Sequence, residues 1–342
     1  MNLTDFDYEL PAEFIAQTPI EPRDASRLMV LDRSTGAIIH THFHEIGNFL
    51  RPGDLLVLND TRVIPARLWA KKANTGGRVE LLLLERRAPL TWETLVGGKG
   101  VHVGSVLEIE GHSNLRGIVM QAYDGPRRLV QFSQPISSLL DQIGAVPLPP
   151  YIREPLADPE RYQTVYAKAP GSAAAPTAGL HFTPALIEKL QALGVQIAHV
   201  TLHVGLDTFA PVTEERVEDH PMHGEWCELT AETAALINAA KREGRRVIAV
   251  GTTSVRTLES AQPGARVGEV VAPLEAATGL FILPGHQFRV VDATITNFHL
   301  PRSTLLMLVS AFAGREQILA AYEEAKRQGY RFYSFGDAML IL

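Results

Sequence analysis

The sequence changes texture twice, and this limits the fold more than any single motif does. From about Ala66 the chain breaks into short alternating runs: Arg67–Lys72, Val79–Leu84, Thr91–Val96, Val106–Glu110, Leu115–Ala122 and Arg128–Phe132. Glycine-bearing turns separate them, at Gly76-Gly77, Gly97-Gly98, Gly111 and Gly125-Pro126. Six short strands with little helix between them predict a small all-β barrel, because closure removes the exposed edges of a sheet. The Pro-rich run Val146–Pro150 closes this segment like a linker. On both sides apolar strands alternate with helices, the signature of an α/β layer. The expected architecture is therefore a layered α/β main domain, residues 1–65 and 150–342, interrupted by an inserted β-barrel domain, residues 66–149.

Charge and composition narrow the function classes. The chain of 342 residues carries a net charge of −6, which gives no global sign of nucleic-acid binding. Locally the balance reverses: residues 66–150 hold 10 Lys and Arg against 7 Asp and Glu. The doublets Lys71-Lys72 and Arg127-Arg128 are candidates for contacting an RNA backbone. A single cysteine, Cys227, excludes an internal disulfide framework and fits a reducing, cytoplasmic setting. The first residues, MNLTDFDYELP, lack the basic start and apolar run of a signal peptide, and no segment has the apolar length of a membrane span.

Chemistry gathers in the main domain. The loop Ala173–Gly179 delivers His181 to the start of a helix that Thr183 caps and Pro184 opens. That helix ends near Gly194, and the β-branched run Val195–Thr201 then delivers His203. Each histidine has a glycine close by, Gly179 and Gly205, which would allow a ligand near the backbone. The buried strand Leu55–Leu58 runs into Asn59-Asp60-Thr61-Arg62, so Asp60 and Arg62 stand where ligands are often held. Strand Val247–Val250 is followed by Gly251-Thr252-Thr253-Ser254 and a helix, which offers backbone N–H groups and hydroxyls to an anion.

Several enzyme classes are excluded. His223-Gly-Glu225 matches half of a zinc deaminase signature, but the required P-C-x-x-C is missing, so no metal is expected. There is no G-x-S-x-G elbow for a serine hydrolase. Nor does the Gly-rich loop of a Rossmann methyltransferase follow the first strand. What remains is a set of histidines, acids and hydroxyls with Arg256, suited to metal-free proton transfer and anion holding.

Ten segments carry a resemblance. They are Gln17–Pro19, Gly53–Arg67 (GDLLVLNDTRVIPAR), Thr75–Gly77, Tyr162–Tyr166, Ala174–Phe182 (AAPTAGLHF), Thr201–Phe209, Glu218–Glu225, Val247–Glu259 (VIAVGTTSVRTLE), Thr296–Leu308 (TNFHLPRSTLLML) and Tyr330–Ile341. Together they closely resemble the S-adenosylmethionine:tRNA ribosyltransferase-isomerase family of queuosine synthesis, over nearly the whole chain. The resemblance implies an α/β domain interrupted by a β-barrel. It implies transfer of the ribosyl part of S-adenosylmethionine to 7-aminomethyl-7-deazaguanine in a tRNA anticodon loop. Isomerisation there gives epoxyqueuosine, with loss of adenine and methionine. S-adenosylmethionine is then a consumed substrate, no further cofactor is needed, and a monomer is expected.

Ylide formation next to the sulfonium needs a base, and departure of adenine benefits from an acid. His181, His203, His223 and Glu225 are the candidates for both roles. Thr252, Thr253, Ser254 and Arg256 are candidates for the methionyl carboxylate, and Asn297 and His299 for the base or ribose. Two rival expectations are an S-adenosylmethionine-dependent RNA methyltransferase and a non-catalytic RNA-binding protein.

Overall fold

The computed structural model describes residues 1–205, 212–222, 224–262 and 264–342. His223, a candidate named above, lies outside the described residues. The chain divides into two compact units. One comprises Met1–Arg62, Pro150–Ala169 and Ala175–Leu342; the other comprises Val63–Pro149 and Pro170–Ala174.

The larger unit is built on a nine-stranded sheet with helices, as the α/β expectation requires. Its centre is four parallel strands in the order Gln196–Leu202, Leu55–Asn59, Val247–Val250 and Ala293–Asn297. On one side the sheet continues through the antiparallel strands Glu225–Leu229 and Leu274–Thr278. On the other it continues through Ala338–Ile341, Arg27–Leu31 and Ile38–His42.

Of the central strands, Leu55–Leu58 and Val247–Val250 read as unbroken apolar runs because both faces are covered. Leu55 and Val57 pack into a core shared with Val255, Leu258 and Met307, from helices Thr252–Ser260 and Thr304–Ala313. Leu56 and Leu58 face the opposite way, towards Phe182, Leu186 and Leu190 of the segment that holds helix Pro184–Ala192. As expected, Thr183 caps that helix, its Oγ1 accepting from the Leu186 N–H at 3.1 Å.

The sequence also predicts strands near Gly279–Leu283 and Phe288–Ile295, and both shift. Gly279–Leu283 is not a strand, and Phe288–Ile295 shrinks to Ala293–Asn297; the edge strand is instead Leu274–Thr278. An apolar run signals burial rather than a ladder. Leu280, Phe281 and Leu283 meet that demand by packing against the core from irregular backbone.

The smaller unit is the expected barrel. Six strands close a ring in the order Arg67–Lys72, Arg78–Ala88, Thr91–Gly97, Arg127–Phe132, Arg116–Ala122 and Val106–Ile109, which returns to Arg67–Lys72. Alternate residues point inward, so Leu68, Ala70, Val79, Leu81, Leu83, Val119 and Val130 fill the interior. Buried Glu93 is clamped by Arg87 at 2.6 Å and Arg127 at 2.9 Å.

Candidate active site

The four parallel strands end together, and their carboxyl ends carry the polar residues. Such an edge is where open α/β sheets bind ligands, because side chains there leave the ladder without leaving the rigid frame. Asn59, His203 (one residue past its strand), Gly251 and Asn297 stand at these four ends. Asn59 ties two of the ends together: its Nδ2 donates to the Leu202 carbonyl at 3.0 Å, and its Oδ1 accepts from the Leu202 and Thr61 N–H groups at 3.1 Å.

A cavity of about 500 Å³ opens over this edge. Thr252, Thr253, Asn297 and His299 line it, with Thr177, Val204, Gly251, Thr296 and Tyr333. Helix Thr252–Ser260 begins at its wall, with Gly251 at φ +87 turning the chain from strand to helix. Only glycine adopts that angle without strain. The first-turn N–H groups of this helix have no partner within it, and the Thr253 hydroxyl has none among the described residues. Ser254 differs: its hydroxyl donates back to the Val250 carbonyl at 2.8 Å.

The histidines occupy unlike settings. His299 is buried, with Nε2 2.8 Å from Thr296 Oγ1, and burial pushes its pKa down to about 3. His181 is also pushed down to about 3, by burial first and the positive Arg331 second. His203 is half-buried; Nδ1 lies 2.8 Å from Thr61 Oγ1 and the ring stacks on Trp226 at 4.9 Å. Burial lowers its pKa as well, against the opposing pull of the Asp60 carboxylate. Asp60 accepts from Thr201 Oγ1 at 2.7 Å. Arg62 pairs on the surface with Glu160.

A second cavity of about 620 Å³ shares Leu305 with the first. Glu225 and Arg256 line it together with the apolar Leu280, Phe281, Ile282 and Leu308. The two charges are paired with each other and both are buried. Glu225 Oε1 also accepts from the Gly205 N–H at 2.8 Å, while Arg256 donates to the Leu280 and Thr278 carbonyls at 3.1 and 3.3 Å. On the same wall His220 Nδ1 lies 2.6 Å from Glu214 Oε2, and that hydrogen bond holds the Glu214 carboxyl down to about 2.

The structure thus brings Thr252, Thr253, Asn297 and His299 around one cavity and Glu225 with Arg256 around its neighbour. Lys71, Lys72, Arg127 and Arg128 lie in the barrel unit. Lys72 Nζ donates to the Lys99 carbonyl at 3.0 Å. Arg128 turns its guanidinium onto the Gly125 and Arg127 carbonyls, both at 2.8 Å. Gly179 has another use than ligand access, since a Cβ there would stand 2.1 Å from the Tyr166 hydroxyl. Among the described residues, no group of three His, Cys, Asp or Glu is placed to hold a metal ion.

Site residues missed from sequence include Ser26, Thr61, Thr177, Thr296 and Tyr333. Thr177 and Thr296 sit inside motifs already singled out, so proximity to His181 and Asn297 was their signal. Ser26 gave no local signal, because its partner His181 is 155 residues away.

The chain has relatives among known proteins along its full length. The model of the queuosine biosynthesis protein family matches residues 3–341. An S-adenosylmethionine:tRNA ribosyltransferase-isomerase from Moorella thermoacetica is 56% identical over 346 residues, with all of both chains covered. One of the same name from Carboxydothermus hydrogenoformans is 58% identical, again over the full length of both. A crystal structure of S-adenosylmethionine tRNA ribosyltransferase from Thermotoga maritima has a TM-score of 0.58 at 42% identity, covering 99% of this chain and 100% of that one. By sequence along its whole length, with a fold to match, the chain belongs to the queuosine biosynthesis protein family.

Proposed function

We infer that this protein is an S-adenosylmethionine:tRNA ribosyltransferase-isomerase. It moves the ribosyl part of S-adenosylmethionine onto 7-aminomethyl-7-deazaguanine in a tRNA anticodon loop and isomerises it to epoxyqueuosine, releasing adenine and methionine. The observation that carries the reading is full-length relatedness to enzymes of that name, together with a cavity lined by the Thr252 and Thr253 hydroxyls, Asn297 and His299.

In this reading the start of helix Thr252–Ser260 holds the methionyl carboxylate through its open N–H groups and the Thr252 and Thr253 hydroxyls. His203, next in the chain to Val204 of the first cavity and near Gly205 of the second, is the base. The Thr61 hydroxyl donates to the Ala169 carbonyl at 3.5 Å, so it receives the Nδ1–H of His203 and leaves the Nε2 lone pair for a proton. Its depressed pKa keeps the ring neutral, and so able to accept, at pH 7. The buried Glu225–Arg256 pair gives the second cavity a fixed polar floor under apolar walls, a setting suited to a base or sugar. Extruding the target base from a single-stranded loop costs only a few kcal/mol at most. No cofactor beyond the consumed S-adenosylmethionine enters the scheme. The protein works as a monomer in the cytoplasm, where its tRNA is found.

The test is product identity. Incubation with S-adenosylmethionine and an anticodon stem-loop bearing the modified base should give adenine and methionine in equal amounts. S-adenosylhomocysteine as the main product would make the protein a methyltransferase instead. Binding of RNA without any turnover would make it a non-catalytic RNA-binding protein.

A further inference from the structure

His181 does not line the 500 Å³ cavity; Asn297 does. Between them runs a buried chain of hydrogen bonds. Ser26 Oγ lies 2.7 Å from His181 Nδ1, and His181 Nε2 lies 3.3 Å from Asn297 Nδ2. The same amide nitrogen reaches the Tyr333 carbonyl at 3.0 Å.

The carbonyl can only accept, so it fixes which end of the Asn297 amide is turned to Tyr333. The amide nitrogen is therefore the donor towards His181, whose Nε2 must carry the lone pair. The ring proton then sits on Nδ1 and is given to Ser26. Phe43 stacks on the imidazole at 5.0 Å and holds its plane. Both N–H bonds of the Asn297 amide are spent inside the protein. Its Oδ1, with Thr177 Oγ1 at 3.4 Å, is the end left for a ligand. Tyr333 adopts φ +71, rare for a residue with a side chain, and in that conformation its carbonyl meets the amide.

We propose that His181 is a positioning residue: with Ser26 it locks the Asn297 amide so that Oδ1 accepts a hydrogen bond from an N–H or O–H group of the substrate. This rests on the cavity being the substrate site. Burial beside Arg331 supports it, since a ring that stays neutral keeps one tautomer at any working pH.

Glutamine can reproduce the pattern, one end donating to Ser26 and the other accepting from Asn297, without titrating. The test compares His181→Gln, His181→Ala, Asn297→Ala and the double alanine variant, with thermal melts to establish folding. His181→Gln should stay within about tenfold of wild-type kcat/KM with an unchanged pH profile. Each single alanine variant should lose about 10²-fold, and the double variant should be little worse than either, because both remove one unit. Nitrogen NMR of labelled wild-type protein should show His181 protonated at Nδ1 only, without titrating between pH 5.5 and 8.5. A folded His181→Gln as inactive as His181→Ala would make His181 an acid or base and overturn the proposal. Multiplicative losses in the double variant, or an Nε2-protonated ring, would also overturn it. If the wild-type protein released no adenine, the functional reading would fall, and the NMR result alone would decide whether the lock exists.

Discussion

At the scale of single residues, burial decides what each charged group can do. Glu225 and Arg256 are each about 7% exposed and face one another. Replacing one partner of a buried pair strands the other, which typically costs about 3 kcal/mol or more. Glu225→Gln should therefore lower stability by about 3 kcal/mol as well as activity, read by urea unfolding. Converting both residues to apolar ones should restore part of that loss.

The buried histidines set a pH limit. His181 and His299 have folded pKa values of about 3, against 6.5 in the unfolded chain. Below pH 6.5 the unfolded state takes up protons that the folded state refuses, so stability is full above that pH and declines from there towards pH 3. Between pH 7 and 5 each should cost about 2 kcal/mol. Urea melts of His181→Gln at the two pH values should show that slope reduced by about half. An unchanged slope would mean that the His181 ring takes up its proton in the folded state as well.

At the scale of elements, the sequence carried the parts that obey local rules. Thr183 and Pro184 announced their helix through side-chain oxygen and fixed φ, and Leu55–Leu58 announced a buried strand through an unbroken apolar run. The strands Glu225–Leu229 and Ala338–Ile341 were hidden. The first follows a run of acids and histidines without strand periodicity, and the second lies in a tail whose pairing partners are distant in sequence. The role of Gly179 was equally illegible, because its need is set by Tyr166 folding over it. Gly179→Ala should force the Tyr166 hydroxyl aside and cost about 1–3 kcal/mol, the usual range for overpacking. Adding Tyr166→Phe should recover part of it, as judged by melting temperature. No recovery would mean that Thr164 Cγ2, 2.8 Å from the added Cβ, or the ring itself rather than its hydroxyl resists the change.

At the scale of the whole molecule, the barrel was legible because six alternating runs and their glycines define a ring without long-range information. The candidate site was legible only as a set of motifs. Which of them meet depends on hydrogen bonds such as Ser26 with His181 and Thr61 with His203, spanning more than a hundred residues. Topology also separates the two basic doublets, since strands Arg67–Lys72 and Arg127–Phe132 are three places apart in either direction round the ring. A short RNA is therefore expected to use one doublet more than the other. Double alanine variants at Lys71 and Lys72, and separately at Arg127 and Arg128, should lower the salt slope of tRNA binding unequally. The slope should fall by about 0.7 for each phosphate that the variant no longer neutralises. Unchanged slopes in both would leave the doublets as solvated surface.

The most direct test of the account follows the sugar. S-adenosylmethionine labelled in its ribose carbons is supplied with a stem-loop carrying 7-aminomethyl-7-deazaguanine. The label should become covalently attached to the RNA, one per modified base, while adenine and methionine leave unlabelled. Label recovered in free nucleoside or S-adenosylhomocysteine, with none on the RNA, would contradict it.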